Sequence, residues 1–375
     1  MKNNNQINTI IIGAGPAGLA MAACLSKQNT PYVILEQSDK IAVKWHNHYK
    51  RLHLHTAKEY SNLPYFDFPK QFPRYPSRQQ VVRYLEDYAN HFDIQPVFNA
   101  KVIDTKKTND GWQVVAEQKG QTVTFDSQNL VVATGFNHIP NMPTWDGLES
   151  FTGEVIHSEN YVDGKAYKDK TVMVVGFGNS GSEIAIDLWE YGAKPIMSVR
   201  SPVNILPKEV MGIPTLAMGI VQQHLPTKIA DVITKVTAKT MIGDLSKYGL
   251  KTLDRGPMEE IKKNARVPML DIGTVDLIKQ GKVLVYPDIH KFTAETVQFA
   301  DEREVKVDAV VLATGFRPQI SRFLKLQQCL TNGLPNTSGT KSEVKGLYFI
   351  GFYISPAGMF REMANEAKKL AKLIC

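Results

Sequence analysis

Short hydrophobic runs alternate with glycine-rich turns near the start of the chain. Ile7–Ile12 is a β-branched run, and the turn Gly13–Gly18 follows it directly. Small apolar residues after this turn predict a helix, and Tyr32–Leu35 forms a second apolar run. The order of strand, glycine turn, helix and strand is typical of a βαβ unit with parallel strands.

The same pattern recurs in the second half of the chain. Thr171–Val175 is an apolar run that leads into the turn Gly176–Gly181. A helix is predicted from Ser182 to about Tyr191, and a strand around Pro195–Val199. We therefore expect a second βαβ unit built on the same plan.

Two further strands end in nearly identical sequences. Val131–Phe136 and Val311–Phe316 are apolar runs that both close with Ala-Thr-Gly-Phe. Each lies downstream of one glycine turn, so two distinctive elements repeat in the same order. The sequence thus predicts an α/β fold with two Rossmann-like dinucleotide-binding domains.

The end of the chain suggests how the two domains are connected. Residues 346–351 form a final strand, which has to pair with a sheet, and we expect it to return to the first domain. The first domain would then comprise residues 1–165 and 317–375. The second domain, residues 166–316, would be inserted in it and carry a helical insertion at about 203–270.

Composition and charge exclude several classes of protein. The net charge is +7, but Lys and Arg are scattered, so we expect no nucleic-acid partner. Cys24, Cys329 and Cys375 lie far apart, which argues against a disulfide scaffold or a zinc site. No apolar stretch approaches the roughly 20 residues of a membrane span. Residues 1–6 lead straight from a polar start into a strand, so we expect no signal peptide and a cytoplasmic protein.

The glycine turns predict where phosphate groups bind. Gly13 permits a tight turn, Gly15 lets the backbone approach a pyrophosphate, and Gly18 lets the helix pack closely on the strands. Unpaired N–H groups at the start of the helix then face the phosphates. The same interpretation applies to the second turn.

The residue at the end of each second strand distinguishes the two nucleotides. Glu36 ends the strand after the first turn, and a carboxylate there accepts hydrogen bonds from both ribose hydroxyls but repels a 2′-phosphate. Arg200 follows the corresponding strand of the second unit, and a guanidinium can bind a 2′-phosphate through two N–H groups. This asymmetry favours FAD at the first turn and NADP at the second.

At this point the sequence resembles the flavin-containing monooxygenases and the related Baeyer–Villiger enzymes. Phe151–Tyr161 fits the FxGxxxHxxxY fingerprint of that family, and Leu312–Phe316 matches its second hallmark. Within the family, the chain is most similar to the plant YUCCA-type indole-3-pyruvate monooxygenases. Three segments carry that likeness: Lys44–Pro73, Val174–Gly181 and Pro268–Thr274.

The resemblance implies an FAD-dependent NADPH monooxygenase. In this family NADPH reduces FAD, and dioxygen adds to the reduced flavin as a C4a-(hydro)peroxide. YUCCA-type members oxidatively decarboxylate a 2-oxo acid such as indole-3-pyruvate, whereas other members oxygenate a soft nitrogen or sulfur atom. The partners would be a small-molecule substrate and dioxygen, and a homodimer is compatible with the sequence. The cofactors perform the chemistry, so no Ser-His-Asp or Cys-His constellation is needed.

The motifs and the resemblance together predict the residues of the site. We expect FAD to be bound by Gly13, Gly15, Pro16, Ala17, Gly18, Glu36, Gln37, Trp45, Leu52, His53, His55, Ala133, Thr134, Gly135, Gly351 and Phe352. We expect NADP to be bound by Gly176, Gly178, Asn179, Ser180, Gly181, Arg200, Ala313, Thr314 and Gly315. Asn179, His55 and Trp45 are the predicted catalytic environment at the flavin edge. No metal site is expected.

Some of these residues have alternative interpretations. Asn179 is either a ligand of NADP and the flavin edge or a cap at the start of its helix. His53 and His55 could pack structurally rather than contact flavin, and they lack a third ligand for a metal. His157 and Tyr161 are expected to serve interdomain structure rather than acid–base chemistry.

One departure from the family concerns the segment around Lys58. Many family members carry an Asn there that helps to hold the oxygenated flavin, whereas this chain has His55-Thr56-Ala57. A 2-oxo acid would also require a cation for its carboxylate, and the candidates in this region are Arg51, Arg74 and Arg78.

Other functions can be built on the same two-domain plan. A flavin reductase or a disulfide oxidoreductase is one alternative, although the lack of a CxxC motif argues against the disulfide version. A non-catalytic nucleotide-sensing protein is a third hypothesis, which the intact glycine turns disfavour.

Overall fold

The computed structural model describes residues 7–375, so the predicted absence of a signal peptide at residues 1–6 lies outside the described residues. The helices are α1 Pro16–Ser26, α2 Val43–His46, α3 Arg78–His91, α4 Asn179–Glu190, α5 Thr215–Gln222, α6 Thr227–Met241, α7 Pro257–Asn264, α8 Thr274–Lys279 and α9 Met359–Ile374. The strands are β1 Ile7–Ile12, β2 Tyr32–Leu35, β3 Ala100–Lys107, β4 Trp112–Gln118, β5 Gln121–Val132, β6 Ile139–Pro140, β7 Glu154–His157, β8 Thr171–Val175, β9 Lys194–Ser198, β10 Ile205–Pro207, β11 Glu209–Val210, β12 Ile213–Pro214, β13 Met269–Asp271, β14 Leu284–Tyr286, β15 Ile289–Phe292, β16 Thr296–Phe299, β17 Glu304–Lys306, β18 Ala309–Leu312, β19 Phe316–Arg317, β20 Leu330–Thr331, β21 Leu334–Pro335 and β22 Leu347–Phe349.

The chain forms two compact units. Unit 1 contains the described residues up to Asn47, together with Thr56–Ile139 and Phe316–Cys375. Unit 2 contains His48–His55 and Pro140–Gly315. The predicted boundary at residue 165 differs from this division, because β7 pairs with β18 in the sheet of unit 2.

Unit 1 is built on a six-stranded mixed sheet. The order is β2-β1-β5-β4-β3, and β22 pairs in parallel with the end of β5. The parallel strands β2, β1, β5 and β22 form the Rossmann-like part, while β3, β4 and the first half of β5 form an antiparallel meander. The last strand therefore lies in the sheet that the first strand began.

Unit 2 is built on a fully parallel sheet of five strands. Its order is β14-β9-β8-β18-β7, and a separate antiparallel sheet contains β15, β16 and β17. All four residues of β18 are buried, as expected for a central parallel strand that is covered on both faces. The two units thus share an α/β plan with parallel strands around a glycine turn, which is the fold class predicted from the sequence.

Local sequence explains where the main helices begin. Pro16 occupies the first turn of α1, where its missing N–H has no helical partner to lose. Ser77 and Gln80 form a reciprocal capping box at the start of α3. The helix α4 starts at Asn179, three residues before the predicted start, because Gly178 takes the N-cap position.

The segment predicted as a helical insertion is more varied than expected. Residues 203–270 contain α5, α6 and α7, but also the parallel pair β10 and β13 and the antiparallel pair β11 and β12. These strands contain only two or three residues each, too few for a period-2 pattern to be visible in the sequence. Within residues 7–375, no helix is both long and apolar enough to span a bilayer.

Replacing Gly181 by Ala tests the packing of the second glycine turn. A Cβ atom at this position would lie 2.3 Å from the carbonyl oxygen of Gly176, whereas one at Gly178 would meet no atom within 4 Å. We expect Gly181→Ala to lower the free energy of unfolding by ~1–3 kcal/mol, the cost of overpacking. Urea unfolding without nucleotide measures this value. Gly178→Ala is the matched control, and equal losses in both variants would contradict the packing argument.

Candidate functional site

The first glycine turn lies between β1 and α1 in unit 1. Gly13 has a φ of +105°, and a Cβ atom there would lie 2.9 Å from the carbonyl oxygen of Ala133. At Gly15 a Cβ atom would meet no neighbour within 4 Å. The turn is thus packed against the end of β5 at its first glycine and open at its second, where a pyrophosphate needs room.

Glu36 ends the strand beside this turn and is buried. Its Oε2 accepts a hydrogen bond from the N–H of Ala14 at 2.8 Å, and its Oε1 accepts one from the N–H of Ser38 at 2.9 Å. The carboxylate is therefore fixed next to the glycine turn, with lone pairs remaining for hydroxyl donors. This is the geometry that a ribose-binding carboxylate requires.

A cavity of about 330 Å³ opens at the end of the parallel strands of unit 1. The predicted FAD residues in its wall are Gly13, Gly15, Pro16, Glu36, Gln37, Trp45, Ala133 and Thr134. The wall therefore combines backbone N–H donors, one buried carboxylate and apolar surface. These are the groups that fit the diphosphate, the ribose and the ring systems of FAD.

Sequence reasoning missed part of this wall. Ala100–Ile103, Asn137, His138, Gln319, Arg322 and Phe323 also line the cavity. They come from the meander and from the segment after the second Ala-Thr-Gly, neither of which contains a nucleotide-binding motif.

Several other predicted FAD residues of unit 1 lie outside the wall of this cavity. A Cβ atom at Gly351 would lie 3.0 Å from the Cβ of Ala17, so the turn after β22 packs against the first turn of α1. Phe352 is buried, with its ring centroid 5.5 Å from that of Phe136. Gly18 packs against Gly13 inside the glycine turn.

The turn after β22 is held by a buried carboxyl group. Glu366 of α9 accepts a hydrogen bond from the N–H of Gly351 through Oε2 at 2.7 Å. The side chain of Ser338 also hydrogen-bonds to this carboxyl group. Burial, reinforced by the negative charge of Glu362, raises the pKa of Glu366 to about 7.

The second glycine turn repeats the geometry of the first. Gly176 has a φ of +108°, and a Cβ atom there would lie 2.7 Å from the carbonyl oxygen of Ala313. Gly178 is open, like Gly15 in the first turn. Thr314, in the exit from β18, donates from its hydroxyl to the carbonyl oxygen of Asn141 at 2.6 Å. Unit 2 thus has a second phosphate-binding turn, which lies beside the Ala-Thr-Gly segment that follows β18.

Arg200 lies two residues beyond β9 and is exposed. Its side chain forms no hydrogen bond or ion pair with any residue in the range 7–375. A guanidinium that has no protein partner, at the end of the second strand of a βαβ unit, fits recognition of a 2′-phosphate. The role in NADP binding predicted for Arg200 is compatible with this position.

Asn179 is the first residue of α4, and its side chain faces β13. Its Oδ1 accepts a hydrogen bond from the N–H of Leu270 at 2.8 Å. The N-cap is Gly178 and no side chain caps the helix, so the alternative of a helix cap is wrong. The amide nitrogen of Asn179 and the second lone pair of Oδ1 are not used in this bond.

The predicted flavin-edge residues His53 and His55 belong to the segment 48–55, which packs in unit 2. Tyr49 in this segment is fully buried and donates from its hydroxyl to Glu183 of α4 at 2.5 Å. His55 Nε2 lies 3.4 Å from the same carboxylate. His53 Nδ1 lies 2.6 Å from the carbonyl oxygen of Arg51, and Leu52 is buried. The histidine pair and Leu52 are therefore supported by unit 2.

Opposing effects act on the buried carboxylate of this cluster. Burial by itself raises the pKa of Glu183, but the hydrogen bonds from His55 and Tyr49 outweigh it, so the net pKa is below the ordinary value. Glu183 is consequently ionised at neutral pH. Sequence analysis missed it because an isolated Glu in a helix carries no motif.

His157 and Tyr161 of the family fingerprint are both buried in unit 2. His157 Nε2 lies 3.0 Å from the carbonyl oxygen of Gly315, and Tyr161 donates to Asp187 at 2.7 Å. Both contacts lie within unit 2, and they join residues that the predicted boundary at residue 165 would place in different domains. The residues of the fingerprint therefore connect the end of β7 and the segment after it to Gly315, which follows β18, and to Asp187 of α4.

The candidate cations for a substrate carboxylate have protein partners. Arg51 forms an ion pair with Glu190 of α4, and Arg78 donates to the carbonyl oxygen of His46 at 2.5 Å. Arg74 also has an interaction partner within the described part of the chain. No group of three or more metal-binding side chains is found in the described part of the chain.

The fold and these two turns define a class of protein: an α/β oxidoreductase that binds two dinucleotides. The sequence profile of the flavin-binding monooxygenase-like family matches residues 6–330. The probable indole-3-pyruvate monooxygenase YUCCA8 of Arabidopsis thaliana is 41% identical over 92% of this chain and 83% of its own length. Indole-3-pyruvate monooxygenase YUCCA1 of Oryza sativa subsp. japonica is 39% identical over 84% of this chain and 78% of its own length.

A solved structure shows the same fold. The flavin-containing monooxygenase from Stenotrophomonas maltophilia superposes with a TM-score of 0.75 over 98% of both chains, at 21% identity. The chain belongs to the flavin-binding monooxygenase-like family and is an FAD-dependent monooxygenase. The resemblance to YUCCA-type enzymes seen in the sequence is confirmed by these comparisons.

Replacing Arg200 by Ala tests the assignment of the second nucleotide. If the guanidinium binds the 2′-phosphate, the variant should lose ~1–3 kcal/mol of NADPH binding, as for a charge-assisted hydrogen bond. Binding of NADH should change little. Titration of the purified protein with each nucleotide measures both affinities. Arg303→Ala, at another exposed arginine of unit 2, is the control, and equal losses for NADPH and NADH would refute the assignment.

Replacing Glu366 by Gln tests the buried carboxyl group. Because the folded pKa of about 7 lies above the ordinary value of 4.5, the folded state favours the protonated form. Stability should therefore fall as the pH rises from about 4.5 through 7, by up to ~3 kcal/mol. In Glu366→Gln this part of the pH dependence should disappear because an amide does not titrate. The amide oxygen can still accept the hydrogen bond from Gly351. Urea unfolding at a series of pH values measures it, and parallel profiles for both proteins would contradict the argument.

Proposed function

We propose that this protein is an NADPH-dependent flavin monooxygenase that oxidatively decarboxylates a 2-oxo acid such as indole-3-pyruvate, with dioxygen as co-substrate. The observation that carries the proposal is the identity of about 40% with indole-3-pyruvate monooxygenases over nine-tenths of the chain. The two glycine turns, Glu36 and Arg200 supply matching sites for the two nucleotides.

The first part of the proposal concerns how the chain holds FAD. The N–H groups at the start of α1 would bind the diphosphate, and Glu36 would accept from the ribose hydroxyls. Trp45 lines the cavity of unit 1, and its ring centroid lies 5.7 Å from that of Phe360. We assign this indole to the apolar wall around the flavin ring. When bound, FAD takes the electrons of NADPH and activates dioxygen, and the chain keeps water away.

The second part concerns the donors around the second nucleotide. The amide of Asn179 and the hydroxyl of Ser180 lie at the start of α4, where we assign them to NADP together with the open turn at Gly178. Ser180 also hydrogen-bonds to the hydroxyl of Tyr49. The start of α4 is thereby linked to the cluster that contains His55.

The third part concerns His55. Because Glu183 is ionised, it favours a proton on the Nε2 atom that faces it. The imidazole is then held in one orientation, with Nδ1 as its other polar atom. We propose that this fixed ring contributes to the environment of the flavin edge. It lies in the segment where other members of the family carry an Asn.

Lys58, which follows the segment 48–55 closely in sequence, has a structural role. Its ammonium group donates to the carbonyl oxygens of Pro69 at 3.0 Å and Lys70 at 2.8 Å, and also to that of Phe72. These bonds hold the loop that precedes α3. Lys58 is therefore not a suitable counter-ion for a substrate carboxylate.

A substrate panel tests the proposed reaction. The purified holoenzyme would be supplied with NADPH and with indole-3-pyruvate, phenylpyruvate, trimethylamine or a thioether. NADPH consumption, hydrogen peroxide release and CO₂ release would be measured in parallel. We expect the 2-oxo acids to raise NADPH consumption, with one CO₂ formed per NADPH and little peroxide.

Two outcomes would contradict the proposal. Coupled turnover of only the amine or the thioether would identify an N- or S-oxygenating enzyme. NADPH consumption that ends in peroxide whatever the substrate would identify a flavin reductase.

A further inference from the structure

The helix α6 exposes a strip of apolar side chains. Ile229 is 52% exposed, Val232 61%, Ile233 40% and Val236 61%. Their spacing of i, i+3, i+4 and i+7 places them on one side of the helix. We call these four residues the apolar strip. Val221 and Leu225, which precede α6, are exposed as well.

The opposite side of α6 provides its packing within unit 2. Ala230, Asp231 and Thr234 are its buried residues. Thr234 donates to the side chain of Gln222 at 3.1 Å, and Asp231 accepts from the N–H of Met258 at 2.7 Å. The helix therefore buries small and polar residues and leaves branched apolar ones in water. The folding of unit 2 does not explain why these apolar side chains are exposed, because the apolar strip is not part of its core.

A row of lysines runs along one edge of the apolar strip. Lys228, Lys235 and Lys239 are exposed, and their spacing of i, i+7 and i+11 aligns them on one side of a helix with 3.6 residues per turn. Lys235 also donates to the backbone carbonyl of Asp254. The one carboxylate between residues 221 and 241 is Asp231, which is buried. All exposed formal charge on this segment is therefore positive.

We propose that the exposed side of α6 docks on an anionic lipid surface. The apolar strip would enter the boundary between headgroups and acyl chains, while the lysine row would contact the anionic headgroups. Charge complementarity favours this occupant: the positive row has no exposed acidic counterpart on the segment with which a second copy could pair. The strip also spans residues 229–236, about half of the 15-residue helix, as expected for a helix that lies flat in an interface.

Vesicle co-sedimentation of the full chain tests this proposal. One set of vesicles would be phosphatidylcholine alone, and the other would contain roughly three-tenths phosphatidylserine as a source of surface charge. We expect binding to the anionic vesicles that weakens as salt is added. Lys228→Ala combined with Lys239→Ala should reduce the partition coefficient about fivefold per lysine. Val232→Gln combined with Val236→Gln should reduce it about tenfold or more.

The control is Leu284→Gln, at an exposed apolar residue in β14 of the same unit. This variant should bind vesicles like the parent protein, and circular dichroism would show that all variants are folded. Equal binding to both kinds of vesicle, or none to either, would overturn the proposal. So would a concentration-dependent dimer that is lost in the valine double variant, since a second copy would then be the occupant.

Discussion

The close approach of each glycine turn to the end of a neighbouring strand is the constraint on which the site depends. In unit 1 the position of a Cβ atom on Gly13 falls 2.9 Å from the carbonyl oxygen of Ala133, and in unit 2 the corresponding distance, from Gly176 to Ala313, is 2.7 Å. A side chain at either glycine would separate the turn from the Ala-Thr-Gly strand. Both halves of the repeated motif are therefore parts of one packing contact, which explains why they recur together.

This contact sets the direction of the helix that follows and thus the position of its free N–H groups. The second glycine of each turn is open, so the backbone can approach a phosphate there. Specificity then comes from the end of the next strand. Glu36 is held by two N–H donors, while Arg200 has no protein partner within residues 7–375. The same local fold can hold two different nucleotides because these two residues differ.

The sequence was sufficient to predict those parts of the fold that depend on neighbouring residues along the chain. The strands, the glycine turns and their helices follow from hydrophobic runs and short motifs. The start of α4 was misplaced because glycine caps it, and Gly178 lacks the side chain by which a cap is recognised. The packing of residues 48–55 in unit 2 was missed because it depends on Tyr49 and Glu183, which are 134 residues apart. The cavity wall at residues 100–103 likewise depends on a meander that carries no nucleotide-binding motif.

The cluster of Tyr49, His55 and Glu183 shows what a buried carboxylate contributes besides packing. Burying an ionised carboxylate costs several kcal/mol, and the hydrogen bonds from His55 and Tyr49 outweigh that cost for Glu183. An apolar group of similar volume would serve packing as well. The carboxylate instead fixes the orientation of two side chains, because it contacts one nitrogen of His55 and accepts from the hydroxyl of Tyr49. In a monooxygenase whose chemistry resides in its cofactors, orientation of this kind is the contribution that the protein itself has to make.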